Sequence, residues 1–228
     1  MIKIQNVSKV FNAGRPNEFT ALSTVSLGIS LQDVTVFKGP SGSGKTTLLS
    51  LIGCMARPTS GRIFIDNREI TSLPERFLTE IRRTTFGFIF QRFNLLAGFT
   101  ALENVMAPAM PTGEKYSSLR KRSLDILGML DLDHKADSKS EWLSGGEAQR
   151  VAIARSLINN PSIIIADEPT AHLDAKLSAE FLAIMEILKK EGKTLVIASH
   201  DPLICDSPIA SRIIEIRNGE IADNSAQP

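Results

Sequence analysis

The apolar positions change their period along the chain, and each change predicts a different kind of element. Ile2, Ile4 and Val7 alternate with polar residues, as do Val25, Leu27, Ile29 and Leu31, which predicts half-buried strands at both places. A loop over 12–17, carrying Gly14 and Pro16, separates them, and a further short strand is predicted over 62–66. Near Asp33 the pattern shifts: Val34, Val36 and Phe37 form a short strand that runs into a glycine-rich turn and then an apolar helix over 46–55. The stretches 162–166 and 194–198 are nearly continuous in apolar residues, as strands covered on both faces of a parallel sheet require. Between them Leu177, Phe181, Ile184 and Leu188 recur at helical spacing, with Gly192 near the end. Strand, helix and strand in this order predict an α/β core. The stretch 92–160 lacks strand patterns and carries helical ones near 119–130 and 145–158, so it reads as a helical insert. In the tail, Asn218-Gly219 between two strand-like runs predicts a hairpin.

Composition narrows this little. A chain of 228 residues with 43% apolar and 22% charged residues is an ordinary globular protein, which excludes a disordered or fibrous one. The net charge is +1 and the basic residues are scattered or in short clusters such as Arg82-Arg83, which argues against a nucleic-acid partner. Cys54 and Cys205 have no metal-type spacing and sit among apolar neighbours, so they read as buried thiols of a reducing compartment. The N-terminus runs straight into a strand pattern with no basic-then-apolar leader. The longest apolar run, 48–56, falls short of the ~20 residues that span a bilayer. A soluble cytoplasmic protein is expected, with any membrane role supplied by a partner.

The chemistry is concentrated in a few segments. Gly39-Pro40-Ser41-Gly42-Ser43-Gly44-Lys45-Thr46 matches G-x-x-x-x-G-K-[ST] between a predicted strand and a predicted helix. There, backbone N–H groups and a helix N-terminus can cradle phosphate oxygens. Lys45 brings a point charge to the β- and γ-phosphates, Thr46 offers a hydroxyl to Mg²⁺, and Thr47 is expected at the α-phosphate. Asp167 and Glu168 end an apolar strand; beside a phosphate cradle, Asp167 suits Mg²⁺ and Glu168 suits a general base for an attacking water. Taken alone, the same pair would serve equally well to cap a following helix.

Leu143-Ser144-Gly145-Gly146-Glu147, followed by Gln149-Arg150, closely resembles the signature of the ATP-binding-cassette family, whose hallmark is LSGGQ. A serine and two glycines at a helix start are by themselves an ordinary capped terminus, although such an end can also grip an anion. The resemblance covers nearly the whole chain, with motifs in family order. It implies a P-loop NTPase (RecA-like) core with an antiparallel β subdomain over 1–91 and 160–228, and a helical subdomain over 92–159. It implies roles residue by residue: Gln91 as the glutamine that senses Mg²⁺, Asp174 in Ala171-His172-Leu173-Asp174 as a subunit-pairing residue, and His200 as the histidine that hydrogen-bonds the γ-phosphate. Phe11 stands where the family stacks an aromatic ring on adenine; a core phenylalanine is the other reading. The departures are Glu147 for glutamine, Lys38 at a usually apolar position and the bulky His172. None removes a catalytic group.

The resemblance further implies ATP and Mg²⁺ as ligands, and a head-to-tail dimer in which the cradle of one copy and Ser144, Gly145, Gly146 and Glu147 of another enclose each nucleotide. A separate integral membrane permease would hold the pair on the inner face of the cell membrane. The run from Phe86 to Leu96, with Thr100-Ala101-Leu102-Glu103-Asn104-Val105, is similar to the lipoprotein-release and macrolide-efflux branch, which favours extrusion or release over import. A soluble cassette ATPase uncoupled from transport is the alternative. Such proteins usually carry coiled-coil insertions, zinc cysteines or a second cassette, none of which this sequence has.

Overall fold

The computed structural model describes residues 1–171 and 173–222. Among these, two sheets form. The first is antiparallel and has the order β2-β1-β4-β5, built from β1 (Ile2–Phe11), β2 (Phe19–Ile29), β4 (Ser60–Ile65) and β5 (Arg68–Glu69). The second has the order β10-β9-β3-β8-β7-β6. It contains β3 (Val34–Lys38), β6 (Phe86–Ile89), β7 (Ile163–Asp167), β8 (Thr194–Ser199), β9 (Arg212–Arg217) and β10 (Glu220–Ile221). Its pairings are parallel except that β10 folds back on β9, the hairpin that Asn218-Gly219 announces.

Alternation along the parallel strands sorts the core into two apolar clusters, one on each face. Phe37, Ile163, Ile165, Val196 and Ala198 face helix α1 (Lys45–Ile52) and the antiparallel sheet. Val34, Val36, Ile164, Leu195 and Ile197 face the other way. There they meet Phe181, Met185 and Leu188 of α6 (Ala175–Lys190), and that cluster continues into α3 (Ala101–Met106), α4 (Tyr116–Met129) and α5 (Gly145–Leu157). Because both faces are covered, β7 and β8 carry no polar alternation. The stretch between β6 and β7 contains α3, α4, α5 and short 3-10 turns, with a single bridge, Thr100 to Lys139, among the described residues.

Several boundaries differ from the sequence pattern. β2 begins at Phe19 rather than near Val25 and ends before the exposed Leu31; its pairing with β1 carries register shifts that break the period-2 signal. α1 stops at Ile52 rather than residue 55, because Cys54 adopts a left-handed φ of 59°. Helix α2 (Glu75–Thr85) and strand β6 have no counterpart in the periodicity reading. α2 buries only Leu78, so its pattern is almost wholly polar, and β6 is four residues long with a glycine inside. α7 (Pro202–Cys205) is a single turn capped by Asp201.

This layering positions β3 between β8 and β9, and the turn at its carboxyl end opens a crevice at the sheet's edge, where α/β folds bind ligands. Phe181 is 1% exposed in the cluster that joins the sheet to the helices. Phe181→Ala is therefore expected to lower the free energy of unfolding by about 3–5 kcal/mol. Urea unfolding followed by circular dichroism checks this; an effect below about 1 kcal/mol would mean that the cluster does not hold sheet and helices together.

Candidate nucleotide site

The turn that leaves β3 has no room for a side chain at two of its glycines. A Cβ on Gly39 would lie 2.2 Å from the carbonyl oxygen of Ile216 in β9, so only glycine fits. Gly44 has φ of 108°, and a Cβ there would meet the Ala21 carbonyl at 2.6 Å. The Ser43 carbonyl accepts the Gly219 N–H at 2.9 Å, and the Gly219 carbonyl accepts the Ser23 N–H at 2.9 Å, so the turn is pinned between β2 and the β9–β10 hairpin. Gly44 is the N-cap of α1 and supplies no side-chain acceptor, which leaves the first N–H groups of that helix to point into the crevice.

Lys45 is 4% exposed. Its Nζ donates to the Gly39 carbonyl at 2.7 Å and to the Pro40 carbonyl at 3.1 Å, and lies 3.1 Å from Glu168 Oε1. Thr46 Oγ1 donates to Asp167 Oδ1 at 3.0 Å. Burial raises the Asp167 carboxyl above its ordinary range, partly offset by the Thr46 hydroxyl, while the neighbouring Glu168 charge adds to the rise. Glu168 sits one residue past β7 with a left-handed φ of 45°, and its N–H donates to the Ala198 carbonyl at 2.9 Å. That kink turns its second oxygen, Oε2, to 2.9 Å from His200 Nδ1, and the His200 N–H donates to the same oxygen at 3.3 Å.

A cavity of about 300 Å³ runs from Phe19 and Ala21, along the 41–47 segment, to Gln91, Glu168 and His200. Ser41, Gly42, Ser43, Gly44, Lys45, Thr46 and Thr47 all line it, whereas Gly39 and Pro40 hold Lys45 from behind. The donor chemistry fits a polyphosphate: an uncapped helix start, a buried ammonium, and the Ser43 hydroxyl, which is buried with no partner among the described residues. Thr46 and Asp167 present adjacent oxygens, the kind of partial set with which Mg²⁺ is held when phosphate oxygens complete the shell.

The remaining sequence-predicted residues lie elsewhere. Ser144 caps α5: its Oγ accepts the Glu147 N–H at 3.3 Å, and Glu147 Oε2 accepts the Ser144 N–H at 2.8 Å. Gly145 and Gly146 form the first turn of that helix. Lys135 Nζ stands 3.1 Å from Glu147 Oε1. The Ser144 N–H, then the Lys135 ammonium, hold the Glu147 carboxyl down at about 2 against the opposing effect of burial. Asp174 caps α6 by accepting the Leu177 N–H at 2.9 Å; His172 lies outside the described residues. Phe11 does not line the cavity: it is exposed on β1, with Lys9 Nζ 5.0 Å from its ring centre.

Sequence reasoning missed several groups around the site. Phe19 lines the cavity, and Thr170 Oγ1 donates to Asp201 Oδ2 at 2.6 Å beside His200. Arg155 of α5 donates to the Phe93 and Asn94 carbonyls, both at 2.5 Å, and so clamps the segment after Gln91. A polar residue inside an otherwise apolar helical face, as Arg155 is, is the signal that could have found it.

A family model described as ABC transporter matches residues 22–171. The ABC transporter ATP-binding protein MJ0796 of Methanocaldococcus jannaschii is 44% identical over 229 residues, covering 97% of this chain and 95% of its own length. The macrolide export ATP-binding/permease protein MacB of Hyphomonas neptunium is 41% identical over 225 residues, which are 99% of this chain; the chain spans only 34% of that relative. Among solved structures, the dimeric MJ0796 cassette superposes with a TM-score of 0.89 at 42% identity, covering 98% of this chain and 97% of that one. A second MJ0796 structure, a dimer in a post-hydrolysis state bound to ADP and Pi, superposes equally well, with a TM-score of 0.89.

The Glu147 carboxyl makes one pH dependence specific. Its value in the folded chain lies below its ordinary 4.5, so its contribution to stability is complete above that value and is lost as pH falls from 4.5 towards about 2. Glu147→Gln is expected to flatten stability over that window, measured by urea unfolding between pH 3 and pH 7. An unchanged acid slope would show that the Ser144 and Lys135 contacts do not persist in solution.

Proposed function

The chain is an ATPase domain of the ABC transporter family, and from that premise we propose that two copies close head-to-tail around two Mg-ATP and drive a separate membrane permease, in export, extrusion or lipoprotein release. One observation carries the hydrolytic part of this reading: the Glu168 carboxylate is held between Lys45 on one oxygen and His200 on the other, at the inner end of the cavity.

Each group has a task in this scheme. The α1 N-terminus and the 41–44 backbone bind the triphosphate, and Lys45 exchanges its carbonyl partners for phosphate oxygens. Glu168 takes the proton of the attacking water, worth about 10²–10⁴ in rate for a positioned base. His200 steadies that carboxylate and donates towards the γ-phosphate, with Thr170 and Asp201 fixing the segment that carries it. Thr46, Asp167 and Gln91 would hold Mg²⁺, which would neutralise phosphate charge. Ser144, Gly145 and Gly146 act on the nucleotide of the partner copy, Asp174 supports the pairing, and the stretch 92–159 is the body that carries α5 into place.

The dimer and the ADP-bound state known for MJ0796 support the same assembly here. MacB relatives join ATP-binding and permease parts in one chain, which supports a permease partner. No helix among the described residues is long and apolar enough to cross a membrane. In this scheme the permease holds the cassette on the inner face of the cell membrane. A cleft of about 340 Å³ walled by Phe86, Phe88, Phe90, Pro108 and Pro111, with Arg82, Arg83 and Arg155 at its sides, is a candidate place for a permease segment to dock.

Glu168→Gln tests the assignment. ATP binding is expected to persist, turnover to fall at least ~100-fold, and gel filtration with ATP to show a trapped dimer. Hydrolysis at the parent rate would remove Glu168 from the role of base.

A further inference from the structure

One face of α5 lies against the core rather than the solvent. Gly146, Gln149 and Arg150 share it at helical spacing. A Cβ on Gly146 would meet Leu177 of α6 at 2.6 Å, so the first turn of α5 lies close on that helix. One turn further on, Arg150 reaches Glu180 of α6 at 3.2 Å. Between them the Gln149 side chain, 3% exposed, donates through Nε2 to the Pro169 carbonyl at 3.0 Å. Pro169 is buried, follows Glu168 directly and has no N–H, so its carbonyl is its only backbone hydrogen-bonding group. The turn begins at Glu168, whose left-handed backbone persists only where neighbours fix it. The core holds the turn on either side of Pro169. The Ala198 carbonyl accepts the Glu168 N–H at 2.9 Å, and Asp201 accepts the Thr170 hydroxyl at 2.6 Å. At Pro169 itself the hold comes from α5.

We infer that Gln149 is a positioning residue for Glu168, holding from α5 the turn that aims the carboxylate at the attacking water. The inference rests on the proposed role of Glu168 as base and extends it to a side chain that does not line the cavity. Without the amide, Glu168 is still present but its turn is free to drift. The chemical step then suffers, whereas nucleotide binding does not. The base is in register only while α5 lies against the core, so its placement depends on how the helical stretch is seated.

Hydrolysis rates and calorimetry together test this. Gln149→Met keeps the length of the side chain without its donor. Its kcat is expected to fall about ten-fold or more, with KM and the ATP dissociation constant within about two-fold of the parent. In the Glu168→Gln background the same substitution should change the residual single-turnover rate by less than about two-fold, because the group it positions is gone. Gln149→Asn keeps the amide but falls one methylene short of Pro169; it should show the same split, and it replaces the methionine variant if that one does not fold. An unchanged kcat in a folded variant would overturn the proposal. Equal fractional losses with and without Glu168 would also overturn it, because the amide would then only support the fold. If Glu168→Gln alone hydrolysed ATP at the parent rate, the assignment of the base itself would fail instead.

Discussion

The tightest constraint in the molecule is the seam where the turn after β3 passes between the two sheets. Ile216 closes on Gly39 from one side and Ala21 on Gly44 from the other, while Gly219 bridges Ser43 to Ser23 by hydrogen bonds. The antiparallel sheet, the C-terminal hairpin and the parallel sheet are therefore registered to one another through a segment that has no room for a side chain at Gly39 or Gly44. The crowded turn lines the crevice from Ser41 to Thr47. A site that binds anions through main-chain atoms needs that rigidity, since a loop free to relax would satisfy its own donors.

Placing a lysine at the base of such a turn has an electrostatic consequence. A buried, unpaired ammonium would cost several kcal/mol. Here the Gly39 and Pro40 carbonyls and the Glu168 carboxylate offset that cost. Glu168 is brought within reach by its left-handed backbone just past β7, a conformation costing of order 1–3 kcal/mol. The strain and the ion pair belong together, because the same kink that meets Lys45 presents the other oxygen to His200. On the proposed function, a γ-phosphate would compete with Glu168 for Lys45, so nucleotide entry would release the carboxylate to face water and His200. The charged groups thus hold each other in place until the substrate substitutes for one of them.

Much of this was legible in the residues before the fold. The continuous apolar runs of β7 and β8 could only be strands buried on both faces, and Asn218-Gly219 could only be a tight turn. The spacing from Gly39 to Thr46 encoded the phosphate turn because it needs specific residue types at fixed offsets. What escaped depended on tertiary contact. α2 is almost wholly polar along its length and is held through single residues such as Leu78 and through Arg82, which donates to the Cys54 carbonyl. β6 exists because β7 offers it a partner edge. Phe19 follows a loop signal and begins a strand whose bulged pairing hides its period, so nothing local marked it as part of the cavity. The meeting of Lys45, Glu168 and His200 was implied only by analogy, since no sequence spacing brings residues so far apart to about 3 Å.

On the proposed function, two helix starts in this chain account for one copy making half a site. α1 begins at Gly44 with no side chain to take its N–H groups, so they stay available to an external anion in place of water. α5 begins at Ser144 with a full capping box, its charge balanced by Lys135, and it is satisfied without any ligand. For Ser144 to grip a phosphate of the partner's nucleotide, its hydroxyl must give up the Glu147 N–H or share itself between the two. The Glu147 carboxylate opposes an incoming trianion at that point unless Lys135 stays on it, whereas the glutamine usual in the family would carry no such charge. The first helix therefore favours nucleotide in the monomer, and the second adds affinity only when a dimer supplies enough other contacts to offset that exchange. On the proposed function, binding before pairing is the order that this difference between an open helix end and a closed one favours.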